Sequence, residues 1–232
     1  MNDKEIPPAY SRRDFILTLD HMPMIYILQN YWDQLLLRYT DNETLIEEGY
    51  QMINASYSEP HRRYHNLQHI DHMIYLLQKY ANHITDIDTV AFAIFFHDIV
   101  YDVKQLDNEE LSALAARAFL QRTNFPAERI TQVMAFIRAT KTHLNTSNNT
   151  DLDYFLDFDL SILGTEPREY FTYVEQIRYE YRMYSDTQFK TGRKKVLAHF
   201  LALPAIYKTA IFREELEAIA RENLGDELRM FG

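Results

Sequence analysis

An uninterrupted apolar run, Val90 to Phe96, leads straight into a histidine and an aspartate, His97-Asp98. A helix that is apolar on every side belongs inside a fold rather than at its edge. Its last residues are then carried inward with it, and burying an imidazole and a carboxylate costs several kcal/mol unless a partner compensates them. A divalent cation is the simplest single partner for both, because it takes imidazole nitrogen and carboxylate oxygen together.

Two further stretches share this character. The first is Tyr64-His65-Asn66-Leu67-Gln68-His69-Ile70-Asp71-His72. Read as a helix, its spacings of four and three put His65, His69 and His72 on one face. Asn66 suits the N-cap of that helix, with His65 at its mouth. The second runs from Asp151 to Gly164, where four aspartates alternate through an apolar segment. Asp151 and Asp153 suit a helix N-terminus. Asp157 and Asp159 lie deeper in the apolar run and need another explanation.

With 5 glycines and 7 prolines in 232 residues, and apolar residues recurring three and four apart, the chain is expected to be all-α: a single-domain helical bundle over 1–232. Residues 1 to about 20 read as an irregular arm. Pro23 to Tyr39, about Asn42 to Tyr57, Asp86 or Asp88 onward, about Asn108 onward, Pro126 to near His143, Pro167 to about Tyr184 and about Tyr207 to Leu228 read as helices. Ser58 to Arg63 and Leu144 to Thr150 read as loops. The 17 tyrosines and 14 phenylalanines are expected mostly between helices.

Having no cysteine, the chain can build a metal site only from His, Asp and Glu, and it lacks disulfides and a cysteine nucleophile. A net charge of −10 argues against an extended nucleic-acid partner, though not against a small phosphorylated molecule. No signal-peptide or membrane-length apolar segment stands out, so a cytoplasmic protein without a membrane partner is expected.

The unexplained polar groups are then His65, His69, His97, Asp98 and Asp159, from separate helices, as a bundle builds its metal sites. A zinc-peptidase reading of His65 and His69 fails because Asn66 stands where the catalytic glutamate would be needed.

The helix histidine, the His-Asp doublet and the later Asp159-Leu160-Ser161 resemble the HD-domain superfamily of metal-dependent phosphohydrolases, and more distantly the cyclic nucleotide phosphodiesterases. The resemblance covers about residues 60–165. It implies His69, His97, Asp98 and Asp159 as ligands of a divalent ion (Mn, Mg, Fe, Ni, Co or Zn), Asp98 also in the catalytic set, and His65 as the proton donor to the leaving oxygen. Asp157 would support the site or its helix, and His72 would pack through a hydrogen bond. Tyr101 stands where the phosphodiesterases carry a further histidine, and no purine-clamping glutamine region is present, which argues against a cyclic nucleotide. Between the doublet and Asp159 only His143 is available for a second ion, so one metal is expected, with Glu109 or Glu110 as supplementary carboxylates.

Arg62 beside His61, and Arg178 and Arg193 in a cluster with Arg182, Lys194 and Lys195, are candidate phosphate contacts, since a guanidinium grips two oxygens in a fork. The alternative for the cluster is a solvated face balanced by Glu175 and Glu180. The function expected is a metal-dependent phosphohydrolase acting on a small, nucleotide-like phosphomonoester or diester. The rival expectation is a non-catalytic metal- and nucleotide-binding regulatory protein of the same superfamily, with a redox oxygenase a distant third.

Overall fold

Most helices begin where the sequence offers a capping side chain. Asn42, Asn66, Asp86, Asn149, Ser185 and Thr209 each accept a hydrogen bond from a backbone N–H in the first turn that follows. Ser185 and Gln188 form a reciprocal capping box. In a computed structural model that describes residues 24–231, these caps open most of ten helices. They are α1 Met24–Leu36, α2 Glu43–Tyr57, α3 Leu67–Lys79, α4 Ile87–Phe96, α5 Asn108–Leu120, α6 Ala127–Ala139, α7 Thr150–Leu160, α8 Pro167–Glu180, α9 Asp186–Ala202 and α10 Ala210–Met230. The expected N-terminal arm and the placement of Pro23 lie outside the described residues.

The all-α expectation holds: no strand forms among the described residues. None of the helices is long and apolar enough to cross a membrane.

Helix α4 is the hub. It packs against α3, α5, α6 and α7, and every residue from Thr89 to Phe96 is fully buried. That surround explains why its sequence lacks a polar stripe. Burying each of its large side chains contributes about 1.5–3 kcal/mol. Trp32 of α1 presses on it edge-on, 5.3 Å from the Phe95 ring, and donates its indole N–H to the Ile46 carbonyl at 2.9 Å. Gly49 lets α2 approach: a Cβ there would meet Trp32 and Phe119 at 2.5 Å.

Two of the alternating aspartates are backbone acceptors. Asp151 accepts the N–H groups of Thr85 and Asp86, anchoring the start of α4. Asp157 is fully buried and accepts from Lys208 and Thr209 at 2.7 and 2.8 Å, just ahead of α10. Burial pushes its carboxyl up to about 6 against the pull of those N–H groups. It therefore fastens the last helix to α7.

Candidate metal centre

Because α4 is enclosed on all sides, His97, the residue that caps its C-terminus, emerges into the interior. Its Nδ1 faces the Ile94 carbonyl at 2.9 Å, which fixes the ring and turns Nε2 away from the helix. His69, near the start of α3, brings its own Nε2 to 3.2 Å from that atom. Asp159, near the end of α7, places Oδ1 3.2 Å from His69 Nε2 and 3.8 Å from His97 Nε2. The three side chains offer ligand atoms within 4.8 Å of one another.

The two 3.2 Å separations fit a shared ion directly, and the 3.8 Å one asks for a wider angle at it. Two ligands about 2.1 Å from one ion, at angles between octahedral and tetrahedral, stand roughly 3.0–3.4 Å apart. Imidazole nitrogen with carboxylate oxygen is a donor set that zinc, iron, manganese, nickel and cobalt all accept. The trio can hold a metal ion. Asp98 stands beside it, with Oδ2 3.2 Å from His97 Nε2 and 3.9 Å from His65 Nε2, outside the group of three.

The electrostatics say the same. Two ring nitrogens facing each other at 3.2 Å cannot both present lone pairs, so a hydrogen on one of them or a metal ion must stand between. Without metal the proton falls to His97: burial opposes its charge, but the carboxylates of Asp98 and Asp159 outweigh burial and raise it to about 9. Burial dominates at His69 and pushes it down. Asp98 and Asp159 are held below the usual carboxylate range, because the imidazoles beside them outweigh burial.

His65 does not share the helix of His69; it lies in the turn before Asn66. What holds it is Glu180, the last residue of α8. Glu180 Oε2 lies 2.7 Å from His65 Nδ1 and accepts the Tyr101 hydroxyl at 2.7 Å. Its Oε1 accepts the backbone N–H groups of Arg63, Tyr64 and His65 at 2.7, 2.8 and 3.0 Å. One buried carboxylate thus gathers the whole turn. Burial would raise Glu180, yet His65 and these donors bring it down to about 2. His65 is raised in turn, because Glu180 outweighs the burial that disfavours its charge.

No family model, curated protein or solved structure matches this chain.

His65, Asp98, His143 and Asp159 line one cavity of about 670 Å³, within the size range of small-molecule sites. The candidate phosphate contacts fare differently. Arg62 is buried and spends its guanidinium on Glu59 and on the carbonyls of His65, Asp98 and Ile99. It is a strut between the His65 turn and the His-Asp doublet, and it does not line the cavity. Arg178 also lies off the cavity, bound to Asp186 and to the carbonyls of Tyr181 and Tyr184. Arg193 does line it, but from a two-pronged pair with Glu227 at 2.8 and 2.9 Å. Burial leaves the guanidinium groups of Arg62 and Arg193 no option but to bind the nearest acceptors, whereas Arg178, only half-buried, is engaged by acceptors close to it in sequence. His72 does pack through a hydrogen bond, 3.2 Å from Ser161 Oγ.

Glu180 corrects the view of it as a solvated counter-charge. The signal was present: Tyr170, Tyr173, Ile177 and Glu180 recur at three, four and three, and all four are buried. His143 is the other late arrival. Its Nε2 sits 2.9 Å from Asp159 Oδ2, reached from a left-handed backbone conformation, φ 51°, that few non-glycine residues adopt. It bonds the candidate ligand Asp159 from the oxygen opposite the trio.

Proposed function

We propose that this chain is a metal-dependent phosphohydrolase of the HD type, hydrolysing a small phosphorylated molecule with water. The observation that carries the reading is the convergence of His69, His97 and Asp159, the last of which lines a cavity that a third imidazole, His65, also lines while separately held by Glu180. A structural metal knot has no use for that extra acid. His69, His97 and Asp159 would hold the ion, with Asp98 next to His97. When bound there, a divalent ion lowers the pKa of water and screens the negative charge of the phosphoryl group.

The chain's own groups supply the rest. Glu180 takes the Nδ1 hydrogen of His65 and favours its charged form, so Nε2 carries a proton toward the cavity. That proton goes to the leaving oxygen as the bond from phosphorus breaks, the water's oxygen completes the phosphate, and the proton the water gives up restores His65. Glu180 stays anionic throughout and holds the ring in place. His143 holds the oxygen of Asp159 that faces away from the trio, which keeps the carboxylate from turning.

The experiment is a phosphatase and phosphodiesterase assay with Mn, Mg, Co, Ni or Zn, on the wild type and on His65→Asn and His97→Ala. The expected pattern is turnover lost with His97→Ala, and reduced by about 10²-fold or more with His65→Asn while metal content stays intact. Full activity in either variant rules out the mechanism. Tight binding without product would point to the regulatory rival instead.

A further inference from the structure

Resting on the phosphohydrolase reading above, we propose that the substrate is an amphiphile: a single phosphate on an aliphatic or aryl body, which enters past Gly192 and lies against the apolar wall of the cavity.

The cavity is far larger than a phosphoryl group requires, and its walls differ in kind. His65, Asp98, His143 and Asp159 form one part. The remainder, from the turn after α7 and from α8, α9 and α10, includes Ile162, Leu163, Ile177, Leu197, Phe200 and Leu224. Its exposed rim mixes the two kinds: Leu106, 87% exposed, and Val196, 43% exposed, stand with Gln105, Lys141 and Gln188.

Charge limits the number of phosphates. Among the described residues only two lysines or arginines line this cavity, Lys141 and Arg193. Arg193 is neutralised by Glu227, and Lys141 reaches the Leu106 carbonyl and stands 3.8 Å from Glu109. A di- or triphosphate would bring several negative charges and find no uncommitted cation beyond the metal centre. A nucleobase would find few edge-reading amides deep in the cavity. The amide of Asn108 is engaged with the Asp102 backbone at both ends, and Gln188 gives its oxygen to Ser185 in the capping box, which leaves its NH2 and the side chain of Gln105, both on exposed residues. What the inner walls offer most is apolar surface.

Gly192 marks the way in. It lies within α9, where glycine is a poor helix former, and no close packing demands it, since an added Cβ would meet nothing within 4 Å. It nonetheless borders the cavity. A side chain there would stand in the opening.

The test uses the full chain and two readouts. Titration calorimetry of the metal-free protein with methyl, butyl and octyl phosphate, each below its micelle-forming concentration, should show affinity rising about fourfold per methylene until the wall is covered. Turnover with each divalent metal should favour octyl or 1-naphthyl phosphate over methyl phosphate, ribose 5-phosphate, adenosine monophosphate and adenosine triphosphate by at least tenfold. Gly192→Leu, which favours the helix, should lower the octyl-to-methyl ratio at least fivefold. Equal affinity for octyl and methyl phosphate, or faster turnover of either adenosine nucleotide, overturns the amphiphile assignment, and an unmoved ratio in Gly192→Leu overturns the entry route. Chain-length-dependent binding with no hydrolysis of any ester would retain the apolar site and reject the phosphohydrolase reading, so the two failures are separable.

Discussion

Glu180 Oε2 lies 2.7 Å from His65 Nδ1, across 115 positions of sequence, and the other oxygen of the same carboxylate holds three consecutive backbone N–H groups. A charge, a tautomer and a turn are set by one side chain. Each can be measured.

Replacing Glu180 by Gln removes the anion that raises His65, so the alkaline limb of the pH–rate profile should move to lower pH. The maximal rate should fall about tenfold or more, with KM changing little, because the lost contact acts on the proton donor rather than on substrate. A profile superimposable on the wild type would show that Glu180 is only a structural brace.

Acid stability should report the same carboxylate. Its pKa falls from 4.5 in the ordinary state to about 2 in the fold, so its contribution is present above 4.5 and is lost as pH drops toward 2. Urea titrations between pH 6 and 2, spanning that window, should therefore show a steeper loss for wild type than for Glu180→Gln. Parallel curves would contradict the depressed pKa.

A divalent ion held by His69, His97 and Asp159 should stabilise the fold, by about 2.7 kcal/mol at a hundredfold excess over Kd. Thermal melts with and without chelator should separate by several degrees, and His69→Ala or Asp159→Ala should abolish the difference. A metal response that survives both substitutions would place the ion elsewhere.

Arg193 and Glu227 are both buried and bonded through two prongs. Truncating either alone should cost about 3–5 kcal/mol, because the other charge is stranded, whereas the double replacement Arg193→Met with Glu227→Leu should cost much less than the sum. Additive losses in denaturant unfolding would show that the pair is not coupled.

Much of this molecule was legible before folding was considered. The apolar run of α4 announced a buried helix because no face of it could meet water, and Asn66 and Asp86 announced helix starts because their side chains satisfy N–H groups only a turn away. The histidines and aspartates that gather at the centre were visible as polar groups without a local excuse. The arginines misled, since a guanidinium looks equally free on paper whether it meets phosphate or, like Arg62, three carbonyls.

Sequence alone determined the helices and the chemical identity of the groups that had to be buried, because both follow from contacts within a turn or two of chain. Tertiary packing decided which of them meet: that His143 bonds Asp159, that Glu180 rather than helix spacing aims His65, and that the cavity's remaining walls are apolar. Those relations depend on where whole helices lie against each other, and the free energy that places them is shared across the core rather than written at either residue.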